Sequence, residues 1–309
     1  MHCKPTRWRR VLVAPLLLLP LWTAAEPAPG PTFDVGVVPD EITDIAREVR
    51  DLPLGERMDR ISQPMVGKPY LVDAVGEGFG VDADPPARYD VYDCLTFVEE
   101  VLALSMPGDP RSAPQVRNQL RYHDGTPSYE NRHHFMLQQW IPAQLESGWL
   151  KDITAEFGET HLIEKEITAQ TWASWRKRKN FQLPDELLPT GRYTLQVLSL
   201  DAAVEIVDEL PVGAIILTVR EDKPYVPILV SHVGFVVASK DVPRMRHATK
   251  LGNDRVRDER LAWYLDHIRW YDWWQVEGIT VLMPQELGPR RSALPARQQQ
   301  PAAAVISER

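Results

Sequence analysis

The chain has 309 residues, with 35 Lys and Arg against 43 Asp and Glu, a net charge of −8. That acidic balance argues against a nucleic-acid partner, whose phosphates demand a basic surface. Apart from an N-terminal run, no apolar stretch is long enough to cross a bilayer as a helix.

Lys4, Arg7, Arg9 and Arg10 form a basic start, Val11 to Trp22 is an apolar run interrupted by Pro15 and Pro20, and Thr23-Ala24-Ala25 supplies small residues. This pattern predicts a cleaved secretory signal over 1–25, the alternative being a retained membrane anchor. Cleavage would leave 31 basic residues against 43 acidic ones, and a periplasmic or secreted protein with no membrane attachment. Residues 26–40 are rich in Pro and Gly and are expected to be a flexible lead-in. Residues 288–309 lack periodicity and are expected to be a disordered tail.

The 41–287 interval between them is long enough for one large domain. Ile42, Ile45, Ala46 and Val49 recur at helical spacing and predict a helix over 41–62. Leu95, Val98, Val101, Leu102 and Leu104 predict a second over 94–105. Residues 128–146 predict a third, broken near Pro142. The texture then changes. Runs of β-branched residues predict strands over 212–219, 225–230, 232–238, 245–249 and 279–283. Helices first and strands later define an α+β class with an antiparallel sheet.

Cys94 is the one cysteine left once the signal is removed. A lone thiol in an exported protein is either a small core residue or a reactive nucleophile. Asp93 is a good helix N-cap, which puts Cys94 in the first turn of its helix. Unpaired N–H groups and the positive helix end favour a thiolate there, and the same amides can hold an oxyanion. Such a nucleophile needs a proton acceptor. His232 opens a predicted strand with Gly234 leaving room beside it, and His247 lies in the next β segment. A hairpin would bring the two imidazoles together, one orienting the other.

Asp93-Cys94-Leu95-Thr96-Phe97 opening a helix, Ser231-His232-Val233-Gly234 on a strand and Arg246-His247-Ala248 on the next resemble the NlpC-type papain-like peptidoglycan hydrolases. Gly67-Lys68-Pro69-Tyr70, Asn131-Arg132-His133-His134-Phe135 with Trp140, and Pro211-Val212-Gly213-Ala214-Ile215 extend the likeness to the N-acetylmuramoyl-L-alanine amidase-like branch over about residues 40–285. The resemblance implies a papain-like fold, helices packed on an antiparallel sheet. It implies hydrolysis of the amide joining the lactyl group of N-acetylmuramic acid to L-alanine, in muropeptides as substrates. Carried over by motif, Cys94 is the nucleophile, His232 the base and His247 the orienting residue, with no metal or cofactor.

Tyr70, Tyr92, Arg132 and Ser231 are candidate substrate contacts. An arginine binds carboxylates bidentately, so Arg132 is either a clamp on a stem peptide or half of a structural ion pair with Glu99 or Glu100. Tyr70 and Tyr92 either line the cleft or pack within the core. His133 and His134 are adjacent and point apart, which argues against a shared metal. Trp263, Trp270, Trp273 and Trp274 are expected in the core rather than in a sugar platform. Two alternatives stand beside this: an endopeptidase with the same catalytic residues, cutting the stem between D-glutamate and the diamino acid, and a non-catalytic envelope protein that binds muropeptides, against which Cys94, His232 and His247 argue.

Overall fold

The computed structural model describes residues 36–107 and 109–286. The expected signal segment, most of the lead-in and the tail over 288–309 lie outside the described residues.

The stretch expected as one helix over 41–62 is two, α1 (Asp40–Glu48) and α2 (Leu54–Ser62). Pro53 divides them. It pushes the residue before it out of the α region and itself takes an extended ψ of 145° as the start of α2. Helix α3 (Cys94–Ser105) begins where expected. The Asp93 carboxylate accepts the N–H groups of Leu95 and Thr96 at 2.9 and 2.8 Å, and Thr96 Oγ1 accepts the Asp93 N–H at 3.1 Å, a reciprocal capping box.

Every residue of α3 from Phe97 to Ser105 is buried, as expected for a helix apolar on all sides. Glu99 and Glu100 are buried with it, so each needs a partner. Helix α4 (Ala113–Arg121) supplies them. Arg117 donates from Nε and Nη2 to the two Glu100 oxygens at 2.6 and 2.7 Å, and Arg121 Nε donates to Glu99 at 2.8 Å. Tyr89 and the Trp140 indole donate to the remaining lone pairs.

The helix expected over 128–146 is replaced by a turn, an extended segment and a π-helical turn (Met136–Trp140), followed by α5 (Ile141–Ser147). Pro142 does not break α5. It lies in the first turn, where a missing N–H costs nothing. The chain then alternates through β1 (Leu150–Asp152), β2 (His161–Ile167), α6 (Ala169–Ser174), β3 (Gly191–Ser199), α7 (Leu200–Glu205), β4 (Ile215–Arg220), β5 (Val230–Val237), β6 (Arg244–Thr249), β7 (Arg255–Arg260), α8 (Leu261–Ile268) and β8 (Val276–Pro284). No strand forms over 225–230 except at its last residue. Pro224 and Pro227 fix φ and remove donors, leaving a loop between β4 and β5.

All pairings between these strands are antiparallel, in the order β2-β3-β8-β4-β5-β6-β7, with β1 on β8. The fold is α+β. The sheet is covered on both faces. Ile215, Leu217 and Val219 of β4 join the core under α3, while Ile216 joins the core with Leu265 and Ile268 of α8. Phe97 of α3 stacks on Phe235 of β5 at 5.7 Å between centroids. This contact sets the start of α3 against the middle of the sheet.

Replacing Glu100 by Ala strands the buried Arg117 guanidinium and should cost about 3–5 kcal/mol of unfolding free energy in urea titrations. The double variant Glu100→Leu/Arg117→Met should recover most of that loss. A double variant no more stable than the single one would show that the stranded charge is not the cause.

Candidate active site

Strands β5 and β6 pair through Phe235↔Arg246, Val236↔Met245 and Val237↔Arg244. Carried one step further, that register sets His247 opposite Gly234, with His232 on the diagonal. Alternation turns His232, Gly234 and Val236 to the α8 face, with Met245 and His247. A Cβ on Gly234 would lie 2.8 Å from His247 Cβ, 2.9 Å from the Arg246 carbonyl oxygen and 2.5 Å from Met245 Cε. The missing side chain is what lets His247 lean across to His232. Their rings meet edge to face at 5.0 Å, and His232 Nε2 lies 2.8 Å from His247 Nδ1. Tyr264 of α8 backs both rings at 6.0 and 5.3 Å, and its hydroxyl shares a 2.6 Å hydrogen bond with Thr218 of β4.

His247 is fully buried, and its Nε2 has no hydrogen-bond partner. If His232 Nε2–H donates to His247 Nδ1, His232 Nδ1 keeps a free lone pair. Only that tautomer makes His232 a base through Nδ1.

Cys94 stands half-buried at the first position of α3. Burial and then the Asp93 carboxylate push its thiol up to about 12, against the opposing pull of the backbone N–H groups of Val233, Leu95 and Cys94 itself. Val233 directly follows His232, so the thiol lies beside the strand that carries the imidazole. Burial and then Arg220 pull His232 down to about 4, and burial takes His247 well below its ordinary value. The expected resting thiolate is therefore reversed. Asp93 does point at the backbone as a cap, yet desolvation and its nearby charge outweigh the helix end. At neutral pH the site holds a thiol and two neutral imidazoles.

A cavity of about 330 Å³ opens beside His232, lined also by Tyr70, Arg220, Ser231, Lys250 and Tyr264. Of the sequence candidates, Tyr70, Ser231 and His232 line it directly, with His247 hydrogen-bonded behind His232. Tyr92 lies in the core, edge-on to Phe97, with its hydroxyl unpartnered. Its backbone bridges Tyr70 across Pro69 and Leu71. Arg132 is held by Glu77 at 2.6 Å, Asp82 at 3.1 Å and Asp73 at 3.6 Å, not by Glu99 or Glu100, and does not line the cavity. His133 and His134 bond separate carbonyls, those of Leu120 and Tyr129. Among the described residues no three His, Cys, Asp or Glu side chains are arranged to hold a metal ion, and no helix is long and apolar enough to cross a membrane.

Sequence reasoning missed Thr218, Arg220, Lys250, Tyr264 and Tyr271, all cavity residues. Only the fold brings them to one place. It also misplaced the tryptophans. Leu261, Tyr264, Leu265 and Ile268 form the buried stripe of α8 at helical spacing, so Trp263 falls on the outer face, stacked on His267. Trp270 and Trp273 are 72% and 76% exposed.

The N-acetylmuramoyl-L-alanine amidase-like family matches residues 60–270. The chain belongs to this family. Solved structures share the fold. A Legionella pneumophila protein is 23% identical over 79% of this chain and 93% of its own, with a TM-score of 0.69. An N-acetylmuramoyl-L-alanine amidase from Bacteroides uniformis is 18% identical over 75% and 99%, at 0.61. A Bacteroides fragilis protein proposed to be a xylanase is 22% identical over 71% and 97%, at 0.55. Identities this low speak for the fold alone. No curated protein matches the chain.

With the thiol at about 12, alkylation of Cys94 by iodoacetamide should be slow at neutral pH. It should rise roughly tenfold per pH unit through the mildly alkaline range, because the thiolate is the reacting form. A rate independent of pH from mildly acidic to mildly alkaline buffer would instead reveal a resting thiolate–imidazolium pair and sink this description.

Proposed function

We propose that this member of the amidase-like family is an exported cysteine amidase with an NlpC-type papain-like site, cutting the bond between N-acetylmuramic acid and L-alanine in muropeptides. The observation that carries the reading is His232, hydrogen-bonded to His247 of β6 and carried on β5, the strand whose Val233 amide reaches the Cys94 thiol at the start of α3. Family membership supplies the amide substrate class. The basic and apolar N-terminal pattern supports export to the periplasm or beyond.

In this reading His232 takes the thiol proton as Cys94 Sγ attacks the lactyl carbonyl. The backbone amides at the start of α3 face the developing oxyanion. As the tetrahedral adduct collapses, the C–N bond breaks and His232 gives its proton to the departing alanine nitrogen. Water, deprotonated by the same imidazole, then cleaves the thioester and frees the lactyl carboxylate and the thiol. His247 fixes the tautomer and ring plane of His232, the third role of a triad. Tyr70 and Ser231 line the cavity where the stem enters.

The mature protein and Cys94→Ala should be incubated with defined muropeptides and the products identified by mass. The expected products are the free muramic sugar and a stem beginning at L-alanine, from the wild type alone. His232→Ala should lose about 10²–10⁴-fold in kcat/KM. A neutral imidazole is the base, so activity should fall as pH drops through His232's value of about 4 and hold above it. Cleavage inside the stem would replace the amidase by an endopeptidase. No cleavage, with an unreactive thiol, would leave a muropeptide-binding protein.

A further inference from the structure

Charged side chains are rarely buried without a counter-ion. Of the five buried arginines among the described residues, Arg57, Arg117, Arg121 and Arg246 each hold a carboxylate, as does buried Lys165. Arg220 is the exception. It is 9% exposed, at the end of β4, and makes no ion pair with any described residue. It is nonetheless firmly seated. Nε donates to Ser231 Oγ at 2.8 Å and Nη1 to the Trp274 carbonyl, while its guanidinium lies 4.7 Å from the Tyr271 ring and 5.6 Å from that of Trp274. Nη2 makes no hydrogen bond with any described residue.

Arg220 lines the cavity together with Lys250, and no Asp or Glu lines it. A chain of net charge −8 thus places two cations and no anion around one pocket. A guanidinium held by aromatic rings with a donor to spare is built to receive a carboxylate. Its location narrows the choice. Ser231, which accepts from Arg220, immediately precedes His232, where the departing alanine nitrogen would sit. In a stem peptide whose second residue is a γ-linked D-glutamate, the free α-carboxylate stands one residue beyond that nitrogen.

We propose that Arg220 binds the α-carboxylate of the second stem residue and makes the enzyme select acidic over amidated stems. This deepens the amidase reading and rests on it for the orientation of the substrate.

The test uses Cys94→Ala protein, which should bind without turnover. It is titrated calorimetrically with two ligands, N-acetylmuramoyl-L-alanyl-D-glutamate and N-acetylmuramoyl-L-alanyl-D-isoglutamine, which differ only in the α-carboxylate or carboxamide. The acid should bind roughly tenfold more tightly, the scale of a charge-assisted contact. Adding Arg220→Gln should equalise the two ligands, and Arg220→Lys should keep part of the preference. Equal binding by the Arg220 protein, or a preference that survives Arg220→Gln, overturns the proposal, as does failure to bind either ligand. Should Arg220→Gln fail to fold, the ligand pair on the Arg220 protein and on Arg220→Lys still decides. Turnover by the wild type separates the two levels. A preference for the acid without lactyl–alanine cleavage rejects the amidase and keeps the carboxylate site, whereas cleavage without preference does the reverse.

Discussion

Helix α3 carries two carboxylates in a segment that solvent cannot reach, and the rest of the structure is arranged around that constraint. Glu99 and Glu100 point in different directions from one helix turn, and Arg121 and Arg117 of α4 meet them separately. A slip of α3 by one residue would turn it by about 100° and move it about 1.5 Å, unpairing both carboxylates in a dry interior. The pairs therefore act less as a source of net stability than as a lock on register. The lock extends to both sides. The capping box fixes where the helix begins, and the Phe97–Phe235 stack fixes what that beginning faces. The Cys94 thiol is thereby held by rigid elements beside the strand that bears His232, with no loop between them and the core.

The parts legible in the sequence were those whose signal is local. Asp93 before an apolar run announced both the start of α3 and the place of Cys94. The β-branched runs of β4, β5 and β8 announced the centre of the sheet, and the histidines of β5 and β6 announced their own meeting. The illegible parts depended on partners distant in sequence. Strand β7 is charged at most positions, with Val256 its one fully buried side chain, and pairs because β6 offers an edge. β2 and β3 alternate between exposed charged or polar residues and a few buried ones, a pattern too sparse to separate from loop. Arg132 read as a clamp because its acidic partners Glu77 and Asp82 are some fifty residues away. The tryptophans near α8 read as core because residue type was weighed ahead of phase, although Tyr264 and Leu265 already marked the inner stripe. Gly234 gave a correct hint for a reason that only the register completes: the space it leaves belongs to His247, and His232 benefits through that neighbour.

Dryness is the property that ties the site's electrostatics together. It keeps the thiol protonated and the imidazoles neutral, so neither Cys94 nor the histidine pair carries charge at rest. The same dryness makes the charges of the reaction costly unless something fixed is ready for each. In the proposed mechanism, helix-end amides would face the oxyanion, and His247 would stand behind the imidazolium that forms on His232. Arg220 works against that imidazolium, since its positive charge helps depress His232. A protein gains nothing from an unneutralised cation beside its base unless the substrate brings the missing anion. On the proposal above, a stem carboxylate seated on Arg220 would remove the lesser of the two influences that depress His232, burial remaining the larger. An empty pocket then holds a weak base beside a protonated thiol, and reactivity waits for a ligand of the right charge. In the proposed amidase, such coupling would suit a nucleophilic cysteine that is not held in a disulfide. An exported amidase, as proposed above, would work in oxidising surroundings, where a resting thiol is shielded from the chemistry that destroys thiolates.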